Sequence, residues 1–205
     1  MANPKAKKYW ISGLFYFLVF AGVGTEKISG SDSDDKCGGE ERWFVKVLGD
    51  QAADYINETP HDTTMAEILK INTETGANKY KESRPRMAIE SQVYRIKHCF
   101  ITKVLRESDN DLHLVIEDGK KHTMIAEIPD PECLDAMNSP FINSFVGTRQ
   151  TMLQYANNYR HYMFTITGTL FVDRSHKQTG KAPNNIEIHP ILEIKKEKKI
   201  NPILQ

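Results

Sequence analysis

Residues 93–131, VYRIKHCFITKVLRESDNDLHLVIEDGKKHTMIAEIPDP, decide the fold. Tyr94, Ile96, Phe100 and Val104 recur along Val93 to Arg106 with period two, which a strand places on one face. Glu107 to Asp111 (ESDND) is a turn cluster. Leu112, Leu114 and Ile116 then alternate in a second strand. Asp118-Gly119 between alternating runs is a hairpin signal, and Met124, Ala126 and Ile128 share one side of a third strand. Pro129-Asp130-Pro131 ends it.

The texture changes after that point. Pro140 to Asn157 carries Phe141, Phe145, Met152, Leu153 and Tyr155 at mixed helical spacings and predicts a helix of roughly 15 residues. A fourth strand follows over Tyr162 to Val172, with Phe164, Ile166, Leu170 and Val172 on one face and Gly168 at a bulge-permissive position. Asp173 to Asn185 is a turn-rich loop, and Ile186, Ile188, Leu192 and Ile194 align a fifth strand. Three strands, a helix and two strands is the order of the OB-fold, a five-stranded, partly open Greek-key barrel. The fold class expected is therefore mainly β with one helix, an α+β OB-fold-like barrel over 89–196.

Upstream, 42–88 reads as a strand/helix segment packing on the barrel. Trp43 to Leu48 is its strand candidate, and Thr64 and Glu67 stand at capping-box spacing at a helix start. Residues 72–86 are polar and read as a loop. Residues 25–41 (TEKISGSDSDDKCGGEE) hold few large apolar side chains and form a flexible spacer. Lys195 to Lys199 carries four lysines and one glutamate; 197–205 is a solvated basic tail.

The first residues indicate export. Lys5, Lys7 and Lys8 precede Trp10 to Gly24, fifteen residues without a charge. That is the h-region length of a signal peptide and falls short of a comfortable membrane span. Residues 1–24 are thus a signal peptide, with an uncleaved inner-membrane anchor over 9–24 as the alternative. Export places the domain in the periplasm or outside the cell. Of Cys37, Cys99 and Cys133, two can pair there and one stays free; which two is open. Cys99, in a strand-like run, is a small buried hydrophobe rather than a nucleophile.

Composition excludes several classes. The 205 residues are 40% hydrophobic and 26% charged, with 27 basic and 27 acidic residues, which is ordinary globular composition. Removing residues 1–24 takes three lysines and no acid, leaving a net charge of about −3. That does not support nucleic acid as a partner through bulk charge. A membrane partner enters only through the N-terminal segment. No P-loop, dinucleotide fingerprint, GxSxG or HExxH occurs.

Two stretches stand out. One is His122-Thr-Met-Ile-Ala-Glu127-Ile-Pro-Asp130-Pro131. The other is Gln178-Thr179-Gly180 followed by Ala182-Pro-Asn-Asn-Ile-Glu187-Ile-His189-Pro190. Together they resemble a group of exported bacterial proteins without an assigned activity. The similarity extends back over Trp43–Leu69, including Thr59-Pro60 and Thr63-Thr64. It implies export and one compact domain, and no substrate.

The same stretches supply the candidate chemistry. His113, Glu127, Glu187 and His189 face away from the apolar side of their strands, while Asp130 and His176 lie in loops. Period two sets Glu187 and His189 about 6.5–7 Å apart on one face, close enough to share a ligand. Imidazoles with carboxylates suit a divalent metal, for which Glu127, Asp130, His176, Glu187 and His189 are the candidate ligands, or acid–base catalysis by Glu127 and His189. The competing reading is a wet barrel face.

No motif fixes a cofactor. His98 falls in the apolar register and reads as a core histidine, whereas Phe171 falls in the outward one. OB-folds bind oligomers on the strand 2–3 face and the strand 4–5 loop. On that pattern His113, Phe171, Arg174 and Lys177 would contact the ligand. The function expected is an exported OB-like domain that recognises an oligomeric or protein ligand. The alternative is a metal-dependent hydrolase of phosphodiesterase or nuclease type. A third is a structural partner in an envelope assembly docking through 42–71.

Overall fold

The computed structural model describes Cys37 and residues 42–73, 84–175 and 177–200. The stretch 1–24 expected to be a signal or anchor, most of the expected spacer, residues 74–83 of the expected loop 72–86, His176 and residues 201–205 lie outside the described residues. Five strands close a barrel: β2 (Gln92–Arg106), β3 (Leu112–Glu117), β4 (Thr123–Ile128), β5 (Tyr162–Val172) and β6 (Ile186–Lys199). Their order is β2-β3-β4-β6-β5, and β5 pairs back onto β2. β4 meets β6 in parallel at Ala126↔Ile188, and the other barrel pairs are antiparallel. The expected OB-like class is present.

Alternation fills the interior with Leu114, Ile116, Met124, Ala126, Ile128, Phe164, Ile166, Leu170, Ile186 and Ile188, all buried. α4 (Ile142–Tyr155), the expected helix, adds Met152 to this core. α2 (Met65–Ile68) adds Met65 and Ile68. Its capping box forms: Glu67 N donates to Thr64 Oγ1 at 3.2 Å, and Thr64 N donates to Glu67 Oε2 at 2.8 Å. Gly168 sits where β5 crosses a bulge in β6, with Thr169 opposite His189-Pro190. A Cβ at Gly168 would stand 2.4 Å from the Pro190 carbonyl oxygen.

The structure departs from the periodicity in four places. Residues Trp43 to Leu48 are not a strand; α1 (Trp43–Lys46) is a single helical turn, and Trp43, Val45, Lys46, Val47 and Leu48 are all buried. Phe44 alone of the run is exposed, and a run this short cannot separate a helical turn from a strand by its period. The strand of the N-terminal segment is β1 (Asn57–Thr63), exposed and paired in parallel with the start of β2.

β2 slips register between Ile96 and Cys99 and again between Ile101 and Lys103. The inward set therefore becomes Ile96, Cys99 and Ile101, and Phe100 turns off the core face. His98, at φ 62° in the first bulge, is not a core histidine; its side chain is 70% exposed and its Nδ1 lies 2.6 Å from Glu197 Oε2. β6 runs on to Lys199, pairing Tyr162↔Lys199, so 197–199 are strand and not tail.

A second layer covers part of the barrel's outer wall. Trp43 and Val47 pack with Cys133, Ala136 and Phe145, and Leu48, Ala53 and Ile56 pack on Val93. Cys133, at the start of α3 (Leu134–Met137), is disulfide-bonded to Cys37; Cys99 is the free, buried thiol. Arg42 anchors this layer through a buried fork on Glu90, at 2.8 and 2.6 Å. Glu90 Oε1 also accepts from Val172 N, and its Oε2 from Met87 N.

Candidate functional site: a buried acid–imidazole cluster

The two distinctive stretches form adjacent strands, β4 and β6, and their charged residues meet on the barrel's outer wall. His113 of β3 pairs directly across from Glu127 of β4. Glu187 and His189 come from β6, and Asp111 comes from the β2–β3 turn. This wall is not wet: Asp111, His113, Glu127, Glu187 and His189 are each 4% exposed or less. α1 lies over one side of it, with Lys46 Nζ 3.7 Å from Glu187 Oε1.

The contacts run in series. Glu107 Oε1 lies 3.3 Å from His113 Nδ1, and that nitrogen lies 2.8 Å from Glu127 Oε1. Glu127 Oε2 lies 2.9 Å from His189 Nδ1, which also faces Glu187 Oε1 at 3.3 Å. On the other side of the ring, His189 Nε2 lies 3.3 Å from Asp111 Oδ2. That last pair falls outside hydrogen-bonding geometry, and neither atom has another partner among the described residues. Asp111 Oδ1 accepts from Asp130 N at 3.0 Å.

Electrostatics follow from burial against pairing. Burial pushes the Asp111 carboxyl up to about 6, although His189 opposes this. Burial also acts against the charge on Glu127, but His113 and His189 outweigh it and hold the carboxyl well below its ordinary value. His189 is raised well above the ordinary imidazole value: burial lowers it, and Asp111, Glu127 and Glu187 prevail. His113 is raised by the same balance, with Glu127 ahead of Glu107 and Glu187.

The expected site residues are only partly brought together. Glu127, Glu187 and His189 converge. Asp130 does not join them as a ligand; its Oδ2 faces Arg149 Nη2 at 3.5 Å and Arg106 Nη2 at 3.9 Å, while its backbone holds Asp111. His176 lies outside the described residues. Asp111 takes the place expected of Asp130. Asp111, Glu127 and His189 each offer one ligand atom within 4.8 Å of the others, so this buried group could hold a metal ion. Nothing in the sequence marks Asp111, because the stretch ESDND signals only a turn. Arg42, Lys46 and Glu90 carried no motif at all.

The expected binding face is also altered. Phe171 is fully buried, with the Arg42 guanidinium 5.0 Å and the Lys46 ammonium 5.1 Å from its ring centre. His113 is equally enclosed. Loop 173–185 lies on the outer wall of β3: Gly180 (φ +84°) is so close that a Cβ would stand 2.4 Å from Val115 Cγ1. Ala182 is buried in the barrel core, and Asn184 Nδ2 donates to Ile68 O and Ile71 O at 2.8 and 3.2 Å. The loop is thus fastened down, with Arg174 and Lys177 exposed on it. Lys177, Gln178, Thr179 and Lys181 line a shallow, open depression.

Compared with protein-family models, curated proteins and solved structures, the chain matches none. Among the described residues no helix is long and apolar enough to cross a membrane.

Proposed function

We propose that this chain is an exported, OB-like binding domain that recognises an anionic oligomer through the outer surface of loop 173–185. The observation that carries this reading is the fastened loop, with exposed Arg174 and Lys177 beside the depression that Lys181 also lines. The export signal over 1–24 supports the location, and the closed five-stranded barrel supports an OB-like mode of binding.

Stacked bases fit this surface poorly. Single-stranded nucleic acid is held by exposed aromatic platforms. Loop 173–185 contains no Phe, Tyr or Trp, and Phe171 is covered. Charged groups on a flexible backbone, as in an acidic oligosaccharide, need only cations and hydrogen-bonding side chains. The buried cluster does not favour the hydrolase reading, because Glu127 and His189 present almost no surface to a substrate.

The test uses a fluorescent sulfated hexasaccharide as probe. Binding that weakens as salt rises, and falls about tenfold or more in the R174A/K177A double variant, is expected from screened charge pairs. Equal binding by the variant, at unchanged thermal stability, would remove the loop from the function.

A further inference from the structure

We propose that Asp111, Glu127 and His189 form a binding site for one divalent ion of the zinc class, held inside the domain as a structural metal. The reading is independent of the loop surface, and either can fail alone.

Geometry comes first. Asp111 Oδ2 and His189 Nε2 are the two buried atoms of the cluster without a hydrogen bond among the described residues, and they face each other at 3.3 Å. Two ligands each about 2.0–2.1 Å from one tetrahedral ion stand about 3.3 Å apart. The same separation is long for an N–H···O bond. Asp111, Glu127 and His189 also each offer one ligand atom within 4.8 Å of the others.

The surroundings match what metal ligands require. Outer partners fix the ligands of a metal, a carboxylate on the far ring nitrogen of a histidine above all. Here His189 Nδ1 faces Glu187 Oε1, a carboxylate outside the proposed trio, at 3.3 Å. Glu127 is itself held by His113 Nδ1 at 2.8 Å, and the Asp130 backbone holds the other oxygen of Asp111 at 3.0 Å. Each ligand side chain is therefore oriented from behind.

Charge points the same way. Three buried carboxylates, Asp111, Glu127 and Glu187, share this layer with one lysine, Lys46. A divalent cation beside neutral imidazoles balances the excess. The donor set is oxygen and imidazole without thiolate, since Cys133 is bonded to Cys37 and Cys99 belongs to the barrel interior. Such a set suits zinc or manganese rather than a soft-metal centre.

The test is metal content and thermal unfolding of the full chain. Purified without chelator, the protein is expected to hold about one zinc or manganese per chain by plasma mass spectrometry. After EDTA treatment, adding zinc well above its dissociation constant is expected to raise Tm by on the order of 5–10 °C. D111N and H189Q are expected to lose the shift, and H98Q, altered at an exposed histidine, to keep it. Should the first two variants fail to fold, the metal content and Tm shift of the unaltered chain decide. Less than about a tenth of an ion per chain, with no shift from zinc, manganese or cobalt, would mean that a proton on His189 bridges the carboxylates instead. A shift that survives in folded D111N and H189Q would place the ion elsewhere. Either result overturns the proposal.

Discussion

Individual residues show how far chemistry can be read without contacts. Glu127, Glu187 and His189 were legible as a group, because strand alternation puts them on one side and two unusual stretches carry them. Their burial was not legible. Period two says only that they point away from the core, and nothing local says that another segment covers that side. Asp111 was hidden for the opposite reason: aspartate in a turn needs no further explanation. Two single residues carry sharp consequences. G180A adds a Cβ 2.4 Å from Val115 at a positive φ, and should cost about 1–3 kcal/mol in urea unfolding. Burial pushes the Cys99 thiol up to about 12, so iodoacetamide at pH 8 should label it only after denaturation. Rapid labelling of the native protein would contradict its place in the core.

At the scale of elements, the long strands, the hairpin and the helix follow from pattern, and the bulges do not. In β2 the register shifts twice, and each shift moves the apolar face by one residue, which is why Phe100 and His98 leave the inward face while Ile101 joins it and Cys99 is buried as expected. Trp43 to Leu48 is the complementary failure, an apolar run too short for its period to distinguish helix from strand.

The end of β6 gives an acid-sensitive contact. Glu197 Oε1 accepts from His98 N at 2.8 Å and from Thr165 Oγ1 at 2.7 Å. Partial burial works against the Glu197 charge, but these bonds and the His98 ring hold its carboxyl below the ordinary value. A depressed carboxylate stabilises the fold fully above its unfolded value of about 4.3 and ceases to do so as pH falls through the folded value. E197Q should therefore lower Tm at pH 7 and make little difference near pH 2. An equal loss at both values would mean that the charge is irrelevant.

For the whole molecule, the outer layer matters as much as the barrel. The segment 42–56 converts part of the outer wall into a second interior, fastened by Arg42–Glu90 and by the Cys37–Cys133 bond across 96 residues of chain. R42A leaves Glu90 buried without its partner and is expected to cost about 3–5 kcal/mol in chemical denaturation. An R42A loss below about 1 kcal/mol would show that the layer is not anchored there. The global consequence is a division of labour. The charged residues Glu127, Glu187 and His189 of the two distinctive stretches lie buried inside the domain, and the proposed recognition surface is the separate, exposed face of loop 173–185.

That division is tested most directly by comparing R174A/K177A with E127Q in one experiment, measuring Tm and sulfated-hexasaccharide affinity for each. The loop variant is expected to keep its Tm and lose affinity. E127Q, which disrupts the pairing of His113 and His189, is expected to lose Tm and keep affinity at a temperature where it remains folded. The reverse pattern, with E127Q losing affinity at an unchanged Tm, would make the buried cluster the functional site and contradict the division.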